Sequence, residues 1–209
     1  MEGKRKFNIH DYIADLRERI KQAPFNGLAH YNLACALIGI GDYEEAEKEL
    51  VKAIDHAPHL CEAYVQLGGL AFRKGDYELC LKLNQRAIEI TPSFAVAHSN
   101  IGFVYAQRGE ADKAIENLER ALSLNPDLVQ ARTTLASAYL MKKQYDKCIE
   151  ECEKVIKQEP KFAPAYYNMG LAYLEMGEYE KAIEYLNLAK ENNYDVPEEI
   201  MEEIAQLEF

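Results

Sequence analysis

Tryptophan is absent, and only 7 prolines and 11 glycines interrupt the 209 residues. So few helix breakers, set among abundant Ala, Leu, Glu and Lys, exclude a loop-rich or collagen-like chain and tilt the expectation toward helix. No apolar run reaches the roughly eighteen residues a membrane-spanning helix needs, and the charged start MEGKRKFNIH is not followed by the apolar stretch of a signal peptide. Basic side chains are outnumbered, 24 Lys and Arg against 35 Asp and Glu, for a net charge of -11. That field repels phosphate backbones and anionic headgroups, so neither a nucleic-acid partner nor membrane insertion is expected. Lys4, Arg5, Lys6, Arg17, Arg19 and Lys21 form the local exception and read as a solvated basic edge.

Five cysteines, an odd number without framework spacing, exclude a disulfide scaffold and place the chain in a reducing compartment, the cytoplasm. Cys148 and Cys152 share a helix face at i, i+4, but both fall in buried columns of the repeat described below and read as small apolar residues, not metal ligands. His10, His30, His56, His59 and His98 are scattered without a zinc pattern, and no glycine-rich phosphate loop occurs. No catalytic residue, cofactor or metal is expected, and the chain reads as a non-enzyme.

What is present is a period. Pro24, Pro58, Pro92, Pro126 and Pro160 follow one another at intervals of 34 residues. Small residues keep the same interval at Ala46, Cys80, Ala114, Cys148 and Ala182, and again at Ala53, Ala87, Ala121, Val155 and Ala189, which marks places where helices approach closely. Leu33, Leu67, Ile101, Leu135 and Met169 each precede a small residue, and the column Gly41, Gly75, Gly109, Lys143, Gly177 supplies four glycines to a turn needing positive φ. Each unit thus predicts two helices joined by a short turn, as in Ala29 to Ile40 followed by Tyr43 to His56, with Asp42 and Glu45 as a capping box. Such a pair cannot bury its apolar face alone, so neighbouring pairs must stack.

The order YNLACALIGIGDYEEAEKELVKAIDHAP resembles a tetratricopeptide repeat almost place for place. The resemblance implies an all-α fold, a right-handed superhelical α-α solenoid of five helix pairs over 27–60, 61–94, 95–128, 129–162 and 163–196. Residues 1–26 would add a basic segment and an N-terminal half-repeat helix, and 197–209 a C-terminal capping helix with Ile200, Ile204 and Leu207 on one side and Glu198, Glu199, Glu202 and Glu203 on the other. His30, His98 and Arg132 replace the usual aromatic near the start of the first helix, and the fourth repeat is the most divergent.

In the family the first helix of each pair lines a concave surface. The sixth place of each repeat reads Asn32, Gln66, Asn100, Thr134 and Asn168, a ladder that could bond a peptide backbone without selecting its side chains. Tyr31, Phe72, Phe103, Leu140, Tyr167, Leu171 and Leu174 would give an apolar floor, and Arg73 and Glu175 the charged thirteenth places. The carboxylate clamp of some relatives needs Lys or Arg at the second and sixth places; Leu28, Glu62, Val96, Gln130 and Pro164 exclude it. The expected function is an adaptor that binds a protein or peptide segment in this groove. The alternatives are a scaffold that assembles into homo-oligomers and a regulatory subunit of an enzyme complex.

Overall fold

The computed structural model describes residues 8–207, and among them every regular element is a helix. Expectations for Lys4, Arg5 and Lys6, and for the side chains of Glu203 and Leu207, fall outside the described residues. The chain divides into two compact units, residues 1–97 and 98–209.

In unit 1, α1 (Ile9–Gln22) is capped by the Asn8 side chain and turns Ile13 and Leu16 inward. Arg17, Arg19 and Lys21 point outward and pair with Glu45, Asp15 and Glu18, so the basic edge is exposed but not unpaired. The antiparallel pairs α2 (Gly27–Gly39) with α3 (Tyr43–His56), and α4 (Cys61–Arg73) with α5 (Tyr77–Ile90), follow. Leu33, Leu37, Leu50 and Ala53 of the first pair close on Ile13 and Leu16 in one apolar cluster. Burying a leucine of this kind contributes about 1.5–3 kcal/mol, so stability rests on stacking and not on any single short helix. Asp42 caps α3 through the Glu45 N–H, but the reciprocal half of the expected capping box is not made, because the Glu45 carboxylate is turned to Arg17.

Helix α6 (Ala95–Gln107) runs across the division. Unit 2 continues with α7 (Ala111–Leu124), then the pairs α8 (Val129–Met141) with α9 (Tyr145–Gln158) and α10 (Ala163–Glu175) with α11 (Tyr179–Glu191), and α12 (Glu198–Leu207). Leu118, Leu135, Cys148, Cys152 and Met169 share its main cluster. Ile204 is fully buried and packs with Leu186 and Val196, which makes α12 a cap on the last pair. Gly170 stands where a Cβ would come within 2.7 Å of Leu186 Cγ, so here the small column is a demand of helix approach.

The turns inside the pairs share one geometry. At Gly41 (φ 82) the Asp42 N–H donates to the Leu37 carbonyl at 2.9 Å and the Gly41 N–H to the Ile38 carbonyl at 3.0 Å, which satisfies the last carbonyls of α2. Lys143 adopts the same left-handed conformation (φ 56), and Gln144 and Lys143 make the equivalent bonds to Tyr139 and Leu140. The divergent fourth repeat therefore keeps the turn, with a lysine in a conformation that costs a side chain about 1–2 kcal/mol.

The aromatic column near the start of each first helix has a purpose the residue types obscure. The Tyr64 and Tyr166 hydroxyls donate to the carbonyls of Pro58 and Pro160, each six residues upstream. Arg132 gives one N–H to the Pro126 carbonyl at 2.7 Å and another to Glu151 at 2.6 Å, and Lys154 bonds the second Glu151 oxygen. His30 places Nε2 2.9 Å from the Pro24 carbonyl and Nδ1 2.5 Å from Glu49, whose other oxygen accepts from Lys52 at 2.7 Å. At His30 and Arg132 the column is a polar clasp between the inter-repeat proline and the second helix, while Tyr64 and Tyr166 bond the proline carbonyl and also pack in apolar clusters.

Candidate functional site

In unit 1 the face under consideration is carried by α2 and α4. Asn32, Cys35 and Gly39 recur at i, i+3 and i+7 along α2, and Gln66, Gly69 and Arg73 repeat that spacing on α4, so each trio shares one side of its helix. Tyr31, Asn32, Cys35 and Gln66 are half-buried, whereas Gly39, Gly69 and Arg73 are exposed. Burial first, then the neighbouring Cys35, pushes the Tyr31 phenol up to about 12. Burial likewise raises the Cys35 thiol against the opposing bond to Tyr31, so it stays protonated. Arg73 lies over the Tyr43 ring at 3.9 Å, and Phe72 packs at 5.2 Å from Tyr77 on α5, which takes Phe72 toward its own second helix.

In unit 2 the expected site residues are drawn into packing. Asn168 is buried, and its amide donates to the Thr133 carbonyl on α8 at 3.3 Å, while the Thr134 hydroxyl donates to the Gln130 carbonyl of its own helix at 2.8 Å. These two rungs of the ladder therefore hold helix backbone. Tyr167 is stacked on Tyr194 at 4.5 Å, and burial followed by the neighbouring Tyr194 raises its phenol. Leu174 joins it against the cap formed by Val196 and Ile204, while Leu171 and Asn100 are half-buried and Phe103 is exposed. Glu175 accepts from the Tyr145 hydroxyl at 3.2 Å. Sequence spacing alone did not distinguish residues facing solvent from those in the seam between consecutive first helices. The signal was available in Tyr194, which occupies the proline column.

Cys148 and Cys152 are fully buried, and the bond between them, then burial, drives the Cys152 thiol far up, so it behaves as a small apolar group. Among the described residues no group of three His, Cys, Asp or Glu side chains is placed to hold a metal, and no helix is long and apolar enough to cross a membrane.

Stacked antiparallel helix pairs with a two-sided turn geometry define an all-α repeat protein, a class that serves protein–protein interaction as adaptor or scaffold. Residues 1–165 match the profile described as the Tetratricopeptide repeat protein 21 C-terminal ARM domain, and residues 151–184 match that described as Tetratricopeptide repeat. The chain belongs to the tetratricopeptide-repeat family. No curated protein matches it. Among solved structures it is similar to YrrB, described as a tetratricopeptide protein with an unusual peptide-binding site, at 22% identity over 85% of this chain and 92% of that one, with a TM-score of 0.67. It is similar to MamA at 27% identity over 77% of this chain and 94% of that one, TM-score 0.66. The Cut9–Hcn1 hetero-tetramer of the APC/C gives a TM-score of 0.80 at 20% identity over 89% of this chain and 37% of that one.

Proposed function

We propose that this chain is a non-catalytic interaction module that captures a peptide segment of a partner protein on its first helices, with the α2 and α4 face of unit 1 as the receiving surface. One observation carries the reading. Gly69 lies inside α4 and Gly39 is the last residue of α2, and at both a Cβ would meet nothing within 4 Å, so neither is required by packing. Glycine weakens a helix by about 0.5–1 kcal/mol relative to alanine. A glycine with that penalty and no neighbour inside the protein leaves space for the backbone of something that approaches from outside. The half-buried Asn32 and Gln66 beside this space supply donors and acceptors for an extended backbone, each bond worth about 0.5–1.5 kcal/mol net. Tyr31 supplies an aromatic wall. Asn100, Phe103 and Leu171 would extend the surface in unit 2, whereas Asn168, Thr134 and Tyr167 would act through packing. The shared fold is one on which YrrB carries a peptide-binding site, which makes the architecture compatible with this role.

The test recovers partners from native lysate with the wild type, the double variant Asn32→Ala, Gln66→Ala, and Gly69→Leu, after circular dichroism shows equal helicity. Loss in both variants supports peptide capture on this face; equal recovery removes it. Turnover by the purified chain would overturn the non-catalytic reading, and the free cysteines suit a cytoplasmic site of action. Self-assembly into homo-oligomers is a second reading, favoured by Phe25, just before α2, and Leu28, in its first turn, which stand 80% and 55% exposed. Light scattering that shows one protomer at all concentrations would sink it.

A further inference from the structure

We infer that the groove of unit 2 between α9 and the turn joining α10 to α11 is a docking seat for a lysine or arginine side chain of a partner protein. That side chain takes the place of a cation the fifth repeat lacks. Ile40, Lys74, Arg108, Lys142 and Met176 stand at intervals of 34, each one residue before the left-handed position of its turn. The first turn of the preceding second helix supplies the matching column His10, Glu44, Glu78, Asp112 and Asp146. Where the acid is missing, at His10, the cation is missing too, at Ile40. Each later acid is answered by Lys or Arg in the next repeat until the last step, where Asp146 is kept and Met176 stands in the cation's place. The pairing is real where it is complete: Lys142 Nζ lies 2.9 Å from Asp112, and Lys74 meets Glu47, three residues on from Glu44 in α3. An acid in the first turn suits the positive end of any helix, so Asp146 needs no special reason. The missing counter-charge does.

The groove has an apolar floor and an acidic side. Ile149 and Tyr173 are half-buried in it, and the Met176 thioether stands 39% exposed beside them. Asp146, Glu150 and Glu153 recur at i, i+4 and i+7 and so share one face of α9. Glu150 is met by Lys154 at 2.7 Å, and Glu178, from the turn, by Lys181 at 2.5 Å. Among the described residues Asp146 and Glu153 enter no ion pair. Lys181 is not the missing cation, because it lies over the Tyr173 ring as Lys113 and Lys147 lie over theirs.

The occupant follows from this mixture. A long basic side chain can lay its methylene stem on Met176, Ile149 and Tyr173 while its charged head meets Asp146 and Glu153. Methionine adapts its shape to such a stem. At about 290 Å³ the groove is at the small end of ligand sites, room for one side chain and not for a helix. A metal ion does not fit, since the carboxylates are spread over two turns and no three ligand side chains converge among the described residues. Lys142 on Asp112 is the precedent inside the chain for what the seat takes.

Methionine-methyl NMR of the 13C-labelled protein tests this with a Leu-Arg-Leu tripeptide blocked at both ends, beside its Leu-Glu-Leu counterpart. The Met176 methyl should shift saturably with the arginine peptide alone. Met141, 50% exposed in the equivalent groove where Lys142 already sits on Asp112, should stay silent. Asp146→Asn should weaken binding by about threefold to fivefold, the upper range for an exposed ion pair. Lys142→Met should open the earlier groove, so that Met141 now responds. No shift at Met176, an equal shift with the glutamate peptide, an equal response from Met141 in the wild type, or no effect of either substitution would overturn the proposal. A Met176 shift that grows with the concentration of the chain alone would seat a second copy there and would overturn it too. None of these outcomes depends on the α2 and α4 face.

Discussion

Units 1 and 2 build one clasp from different side chains, and the contrast separates what the repeat fixes from what it leaves free. Both join the inter-repeat proline carbonyl to a glutamate on the second helix, with a lysine on the far carboxylate oxygen. Only the geometry of donors and acceptors is common. His30 makes the clasp in a site 4% exposed at the side chain, against 14% for Arg132, so the imidazole occupies the drier place. A second difference runs alongside. In unit 2, Lys113, Lys147 and Lys181 lie over the rings of Tyr105, Tyr139 and Tyr173 at 4.9–5.1 Å, whereas the matching first-helix places in unit 1 are Leu37 and Ala71. Unit 2 is thus braced by lysines over tyrosine rings at places where unit 1 packs aliphatic side chains.

The sharpest way to break the comparison is His30→Ala. It strands the Glu49 carboxylate beside Lys52 alone and removes the donor to Pro24, and it should cost about 3–5 kcal/mol in chemical denaturation. Arg132→Ala, in the wetter site, should cost less; a reversed order would contradict the account. Next come the glycines. Gly170→Ala drives a Cβ to 2.7 Å from Leu186 Cγ and should lose about 1–3 kcal/mol by overpacking, visible as a lower thermal midpoint. Lys143→Gly removes a side chain from a left-handed turn and should gain about 1 kcal/mol, bringing the fourth repeat into line with the other turns. Smallest of all, Gly69→Ala on the open face of α4 should stabilise by about 0.5–1 kcal/mol, and loss of stability there would mean that the glycine serves packing after all.

Much of the architecture was legible because its causes are local and repeat. The proline, small-residue and turn columns placed the pairs, and the observed helices begin or end within two residues of the expected Ala29 to Ile40 and Tyr43 to His56. The clasp was not read, although its pattern lay in the sequence. A proline six residues before His30, Tyr64, Arg132 and Tyr166, with Glu49 and Glu151 nineteen residues after His30 and Arg132, marks a donor flanked by two acceptors. Residue type suggested packing because the usual occupant is aromatic. The ladder places differ for another reason: Asn168 follows an earlier first helix, α8, and reaches its Thr133 carbonyl, whereas Asn32 lies on the first such helix, with only α1 before it. Tyr167 likewise looked open until Tyr194 covered it.

The central claim is that a partner lies against the open glycine side of α2 and α4. The measurement that reaches it most directly is recovery of partner from native lysate by wild type beside Gly69→Leu, a change on an exposed helix position where an added Cβ meets nothing within 4 Å. The account predicts a folded, equally helical variant that loses the partner. A folded Gly69→Leu protein that retains it in full would contradict the claim.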